Sequence, residues 1–120
     1  MSYKLGIAIL SVRDLQQSKN FYSQKLGQPV LEDQSSEHFV TIALSDGSLL
    51  GLSPLAPGQS VQPGAIELGL EVPDVDAAWR DWKSKGLTGM TDPVDTPFGR
   101  SFDAHDPDGN PLSIYQLARR

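Results

Sequence analysis

The segments Val12-Arg13-Asp14-Leu15 and Val72-Pro73-Asp74-Val75 decide the fold, because each stands at the same place in a repeated pattern. An apolar, strand-like run precedes each aspartate, and each helical stretch that follows ends at a glycine, Gly27 or Gly86. The two copies lie about sixty residues apart in a chain of 120 residues. Two copies predict a pseudo-twofold body with a cleft between them, whereas a solenoid needs shorter periods and more copies.

The length and composition bound the size of the folding unit. The 120 residues suit one compact domain, or two half-size units that share a core. Because a unit of about 55 to 60 residues has a marginal hydrophobic core, we expect the halves to be stable only together or with a second chain. Apolar residues make up 38% of the chain and charged residues 21%, which is typical of soluble globular proteins.

Charge and residue usage argue against several classes of function. The formal net charge of −5 argues against a nucleic-acid partner, since nucleic-acid binding needs a basic surface. No apolar run is long enough to span a bilayer, and the first residues lack the pattern of a signal peptide. The absence of cysteine excludes a disulfide framework, a thiolate nucleophile and a cysteine-ligated metal. We therefore expect a cytoplasmic protein that binds neither membranes nor nucleic acid.

The first unit is predicted to be a strand, a helix and three further strands. Asp14 stands at the helix N-cap with Gln17 three residues later, which is a capping-box pattern, and Gly27 supplies a left-handed C-terminal residue. The turn Asp46-Gly47-Ser48 separates two apolar runs and indicates a hairpin. The four strands are expected at residues 5–12, 29–33, 38–44 and 49–52.

The second unit repeats this order after a linker, residues 53–64, that contains three prolines and two glycines. Residues 67–72 alternate between apolar and polar or small side chains, as a strand with one buried face does. Asp74 caps a helix whose apolar stripe includes Trp79 and Trp82. The strands of this unit are expected at residues 67–72, 89–90, 100–105 and 112–115.

Each predicted sheet has one face that packs the helix and one that faces away from it. Two such sheets that curl toward each other would form a cup lined by their helix-free faces. The turn Asp106-Pro107-Asp108-Gly109-Asn110 is interpreted as structural, with Gly109 at positive φ and Asp108 as the capping residue. It lacks the alternating oxygen ligands of a calcium-binding EF-hand loop.

Three groups of residues match a known family: segments 12–15 and 72–78, and the run Phe98-Gly99-Arg100-Ser101-Phe102 followed by residues 106–112. On these residues the chain resembles the vicinal oxygen chelate superfamily, the group of glyoxalases, bleomycin-resistance proteins and extradiol dioxygenases. The resemblance spans essentially the whole chain. It implies an α+β fold, a single domain of two tandem βαβββ units, about residues 1–55 and 65–118, whose sheets curl into a cup.

The resemblance also implies where metal enzymes of this superfamily hold a divalent ion. Their ligands are a His or Gln in the first strand of each unit and a carboxylate in the last strand of each. The corresponding positions in this chain hold Ile7, Gly51, Glu67 and Ser113. Two of these residues have no donor atom, whereas a catalytic metal site normally offers three protein ligands. His38 and His105 lie at strand ends outside these positions, so neither a metal nor another cofactor is expected.

Six residues are candidates for contacting a ligand in the cup: Ile7, Ile9, Glu67, Arg100, Ser113 and Tyr115. The two isoleucines make the floor apolar, which favours an aromatic or other apolar ligand. Glu67 is either a cup-lining carboxylate or a solvated strand residue. Arg100 either anchors an anion or pairs with Asp103 or Asp106 at the surface. Ser113 and Tyr115 share the strand face of an implied ligand position.

Two functions remain open on these residues, and neither assigns a catalytic residue. The first is a metal-independent small-molecule binding protein that resembles the bleomycin-resistance branch and sequesters an apolar or aromatic ligand. Resemblance to that branch implies that two copies of this chain form a homodimer. The alternative is a divalent-metal-dependent lyase of the glyoxalase I type, or a dioxygenase, with a degenerate metal site. A metal in such an enzyme would polarise vicinal oxygens and stabilise an enolate.

Overall fold

A computed structural model describes residues 1–2, 5–62 and 66–118 of the chain. The chain folds into two compact units, Met1–Val61 and Gln62–Arg120. Each unit carries a mixed sheet, of three strands in the first and four in the second, with one principal helix. This is the α+β class that the repeated pattern and the resemblance imply.

The first unit contains a three-stranded sheet in the order β1-β3-β2. Strands β1 and β3 run parallel, and β2 and β3 form an antiparallel hairpin around the Asp46 turn. Helix α1 continues directly into a π-helical turn, and a 3₁₀ turn precedes β2. The elements are β1 (Ala8–Val12), α1 (Leu15–Asn20), the π-helical turn (Phe21–Lys25), the 3₁₀ turn (Glu32–Gln34), β2 (Val40–Ala43) and β3 (Leu49–Pro54).

Local sequence signals explain how helix α1 begins and what it covers. The Asp14 side chain accepts a hydrogen bond of 3.0 Å from the Gln17 backbone N–H, which satisfies one of the free donors of the first turn. The π-helical turn buries Phe21 and Tyr22 in edge-to-face contact, with ring centroids 5.0 Å apart. Gly27 then leaves the helical path at φ 71°, as predicted.

Two strand predictions in the first unit differ from the structure. The first strand begins at Ala8 rather than at residue 5. Residues 29–33 form no strand, and Val30 makes only an isolated bridge to Ile42. The bridge cannot lengthen into a ladder because Pro29 has no N–H to donate, and the chain turns into the 3₁₀ segment two residues after the bridge.

The second unit has a four-stranded sheet in the order β4-β7-β6-β5. Strand β4 runs parallel to β7, and the remaining neighbours are antiparallel. This unit therefore has the complete βαβββ order. The elements are β4 (Leu68–Glu71), α2 (Val75–Ser84), β5 (Val94–Thr96), β6 (Gly99–His105) and β7 (Pro111–Leu117).

Helix α2 is capped from two directions. The Asp74 side chain accepts a hydrogen bond of 3.1 Å from the Ala77 N–H, and the Gln116 side chain on β7 accepts one of 2.6 Å from the Val75 N–H. The helix buries Trp82 edge-to-face against Phe102 of β6, with centroids 5.5 Å apart. These interactions hold α2 against one face of the sheet and leave the other face free of helices within this unit.

Three further predictions, two in the second unit and one in the linker, differ from the structure. The edge strand is Val94–Thr96 rather than residues 89–90, because it pairs with β6 although all its side chains are exposed. The turn after β6 is capped by Asp106 rather than Asp108, while Gly109 has the expected positive φ of 83°. The linker begins two residues later than predicted, since residues 53 and 54 belong to β3 of the first unit; residues 63 and 64 lie outside the described part of the chain.

Candidate functional site

Strand register shows which positions of the two helix-free faces correspond. In the first unit Ile9 lies opposite Gly51, which lies opposite Thr41 on the other side. In the second unit Gly69 lies opposite Ser113 in the same parallel pairing, and Ser113 lies opposite Asp103. Gly51 and Ser113 are therefore equivalent positions, as the resemblance implied.

The helix-free face of the first unit is apolar at its centre. A Cβ built on Gly51 would lie 2.6 Å from the Phe39 Cζ, 3.1 Å from the Ile9 Cγ1 and 3.2 Å from the Ile7 Cδ1. Three apolar side chains thus converge over one glycine of the middle strand. Ile9 is nevertheless 50% exposed, so this cluster is not buried within the described structure.

Phe39 is the residue of this cluster that the sequence analysis missed. It precedes β2 and shares the side-chain parity of Thr41, two residues later, within the apolar run 38–44. Period-two alternation along that run would have placed Phe39 on the helix-free face. Its contact with Gly51 could not have been read from the alternation, because that contact depends on the register between β2 and β3.

The helix-free face of the second unit is more polar. The Tyr115 ring reaches over the neighbouring strand, since a Cβ on Gly69 would lie 3.4 Å from the Tyr115 Cε1. Ser113 lies on the same face two residues earlier, and Asp103 lies opposite it. Glu67 is exposed and directly precedes β4. Ser113 and Tyr115 are thus brought together on one face, as expected.

Arg100 lies on the opposite, helix-packing side of this sheet. Its Nε and Nη2 donate to the Asp76 carboxylate of α2 at 3.0 and 3.1 Å, and its Nη1 donates to Asp95 of β5 at 3.0 Å. The expected partners Asp103 and Asp106 were therefore wrong. The hydrogen bonds from Arg100 to Asp76 and then to Asp95 raise the pKa of the guanidinium, which stays charged. This arginine links β6 to the helix and to the edge strand.

The donor atoms suit a divalent metal poorly within each unit. In the first unit the two implied ligand positions hold Ile7 and Gly51, which have no donor side chain. In the second unit they hold Glu67 and Ser113, a carboxylate and a neutral hydroxyl. Across residues 1–2, 5–62 and 66–118, no group of three or more His, Asp or Glu side chains is placed to hold a metal ion.

The two histidines lie away from these positions. His38 is exposed in the short turn before β2, where its backbone N–H donates to the Ser36 hydroxyl at 3.2 Å. His105 is exposed at the end of β6, opposite Pro111. Among the helices that the structure describes, none is long and apolar enough to cross a membrane.

Comparison with known proteins supports the fold along nearly the whole chain. The crystal structure of TnmS3, an antibiotic binding protein from Streptomyces sp. CB03234, has a TM-score of 0.82 at 28% identity and covers 98% of this chain and 99% of its own. A glyoxalase/bleomycin resistance protein from the same organism has a TM-score of 0.74 at 29% identity, covering 94% of this chain and 100% of its own.

A relative in sequence and a family model agree with these structures. An uncharacterized protein of Mycolicibacterium smegmatis is 28% identical over 118 residues, which are 98% of this chain and 97% of the relative. The model of the Glyoxalase/Bleomycin resistance protein/Dioxygenase superfamily matches residues 4–114. The chain belongs to the Glyoxalase/Bleomycin resistance protein/Dioxygenase superfamily.

Proposed function

We propose that this protein binds an apolar or aromatic small molecule without a metal ion and thereby sequesters it. The observation that carries the proposal is the apolar cluster of Ile7, Ile9 and Phe39 over Gly51. Apolar surface with a few polar groups nearby is the usual lining of a small-molecule site. The similarity to an antibiotic binding protein supports a binding role, because that structure covers almost the same length of chain.

The proposed contact residues are those on or beside the helix-free faces. Ile7 and Ile9 supply apolar contact, Tyr115 supplies an aromatic ring, and Ser113 and Glu67 supply polar atoms. Arg100, which already binds two carboxylates on the helix side, has a structural role in this proposal. No side chain is assigned to bond making or breaking.

We further propose that the two units form a single domain, joined by a linker within residues 53–64, and that the protein acts in the cytoplasm as a homodimer. Units of this size have marginal cores, which is why we expect neither half to be stable alone. Native mass spectrometry of the purified protein measures the number of chains in the assembly directly. A mass of one chain at micromolar concentration would contradict the dimer without affecting the binding proposal.

Calorimetric titration with two probes tests the binding function. Daunorubicin offers a flat polycyclic ring system, and bleomycin is the compound named in the family description. We expect at least one probe to bind with a micromolar or smaller Kd, unchanged after treatment with EDTA. Elemental analysis of the untreated protein is expected to show no stoichiometric Zn, Ni, Fe or Mn. Stoichiometric metal, or glutathione-dependent lyase activity that EDTA abolishes, would support the metal enzyme instead.

A matched pair of charge variants locates the binding surface. Ile9→Glu places a carboxylate in the apolar cluster and is expected to weaken binding on the order of tenfold or more, since the ligand would have to desolvate the charge. Gln24→Glu adds the same charge at an exposed position of the π-helical turn and is expected to leave the Kd within about twofold. Equal affinities of the two variants would show that the apolar cluster of the first unit is not part of the binding site.

A further inference from the structure

The Phe39 ring lies so close to Gly51 that a residue with a side chain would not fit at position 51 while the ring keeps this position. A Cβ at this position would lie 2.6 Å from the Phe39 Cζ, a separation that real side chains essentially never show. Gly51 is buried and belongs to the middle strand of its sheet. The absence of a side chain at position 51 therefore allows the tip of the Phe39 ring to lie where it does.

The backbone of Phe39 is fixed independently of its ring. The Phe39 carbonyl accepts a hydrogen bond of 2.7 Å from the Ser36 N–H, and the two residues form an antiparallel bridge. The chain continues from Phe39 directly into β2. The ring thus extends from an anchored strand end, has Ile7 and Ile9 beside its tip, and remains partly exposed.

The strand positions that share a face with the ring carry no charge within the described part of the first unit. The described side chains on this face of the first unit are all uncharged: Ile7, Ile9, Ser11, Phe39, Thr41, Ala43, Leu49 and Ser53. The corresponding face of the second unit carries the carboxylates of Glu71 and Asp103. An uncharged surface with one partly exposed aromatic ring fits the uncharged aromatic part of a ligand, because aromatic pairs gain energy beyond their buried area.

We propose that Phe39 is the residue that packs against the aromatic part of the ligand, and that Gly51 sets the position of its ring and hence the ligand's shape selectivity. This inference rests on the proposed binding function and names the ligand class for it. A Cβ at position 51 would meet the outer end of the Phe39 ring at 2.6 Å and push the ring outward, and it would also require the Ile9 Cγ1 at 3.1 Å and the Ile7 Cδ1 at 3.2 Å to move by a few tenths of an ångström. Gly51→Ala is therefore expected to alter the binding surface, and its thermal unfolding shows what the change costs in stability.

Four variants of the full chain test this with daunorubicin as the probe. Phe39→Leu keeps an apolar side chain but removes the ring, and is expected to weaken binding roughly two- to tenfold. Phe39→Tyr keeps the ring and is expected to restore the affinity to within about twofold of the parent chain. Gly51→Ala is expected to weaken binding at least as much as Phe39→Leu. Phe98→Leu, the same change at a ring that is 80% exposed, is the control and should change nothing.

Proton NMR supplies a readout that a merely structural role of Phe39 would not move. The aromatic protons of bound daunorubicin are expected to show upfield ring-current shifts that Phe39→Leu abolishes and Phe39→Tyr restores. Thermal unfolding of each variant reports whether it is folded. If Phe39→Leu does not fold, the Kd and the ring-current shifts of Gly51→Ala and Phe39→Tyr test the inference instead. Unchanged Kd and shifts in Phe39→Leu or Gly51→Ala would overturn the inference while leaving the binding function standing. No binding of either probe by the parent chain would overturn the binding function itself.

Discussion

Replacing Asp106 should destabilise the protein far more than replacing a similar aspartate in the other hairpin turn. Asp106 is only 5% exposed, and its carboxylate accepts hydrogen bonds from the Asp108 N–H at 2.9 Å, the Asn110 N–H at 2.9 Å and the Asn110 Nδ2 at 3.0 Å. Asp108 and Asn110 are also buried, at 2% and 5% exposure. All three donors therefore depend on one side chain that water reaches poorly.

The magnitude follows from what each substitution leaves unpaired. Asp106→Ala removes the acceptor of three donors, and an unsatisfied buried donor costs about 1 to 3 kcal/mol. Because the turn can relax and admit water, we expect a loss of about 3 to 5 kcal/mol rather than the full sum. Asp106→Asn keeps one oxygen for the two backbone donors but turns an NH₂ group toward Asn110. Its expected cost is about 1 to 2 kcal/mol.

Urea unfolding followed by tryptophan fluorescence measures these losses, since Trp82 packs against Phe102 on the strand that precedes the turn. Asp46→Ala is the control, because Asp46 makes the same kind of turn bond to the Ser48 N–H at 3.0 Å but is exposed. We expect the control to stay close to the parent chain in stability, as most surface substitutions do. If Asp106→Ala cost no more than Asp46→Ala, the assignment of Asp106 as the buried organiser of the turn would be wrong.

Three further predictions concern stability. Gly99→Ala should cost about 3 kcal/mol or more in folding stability, because its Cβ would collide with a backbone carbonyl of β7. Gly86→Ala, at φ 78°, meets no neighbouring atom and should cost about 1 kcal/mol. Thermal unfolding of the two variants compares these losses. Asp74→Ala should cost about 1 kcal/mol through the lost helix cap, measured by urea unfolding. Hydrogen bonds from the Ser48 backbone and then its hydroxyl lower the pKa of Asp46 from its ordinary value of 3.8. Because Asp46 is exposed, Asp46→Asn should be only slightly less stable than the parent chain above pH 3.8, within the small range expected of a surface substitution, and an acid titration of stability should show this small difference disappearing as the pH falls further.

Each of these three stability predictions has a result that would contradict it. Equal losses for the two glycine variants would mean that no close backbone contact exists at Gly99. A neutral effect of Asp74→Ala would mean that the Gln116 side chain alone satisfies the start of α2. A stability difference for Asp46→Asn that persists unchanged well below pH 3.8 would show that the carboxylate does not ionise more readily in the folded state.

Local signals made several parts of the fold predictable. The caps at Asp14 and Asp74 form the expected bonds to the residue three positions later, because capping involves atoms within one helical turn. The positive φ of Gly27 and Gly86 likewise follows from the chain leaving a helix. The edge strand Val94–Thr96 was missed because its three side chains are all exposed, so no alternation marks it. Only its pairing with β6 defines it.

The sequence by itself determined the repeat, the two helix starts and the hairpin turns. These depend on short-range geometry or on the period of the side chains, both of which are written along the chain. Only the tertiary structure decided that Arg100 binds Asp76 and Asp95 on the helix side, and that the Phe39 ring lies over Gly51. Those contacts depend on strand register and on which face of a sheet a helix covers, and register is set by pairing between strands distant in sequence.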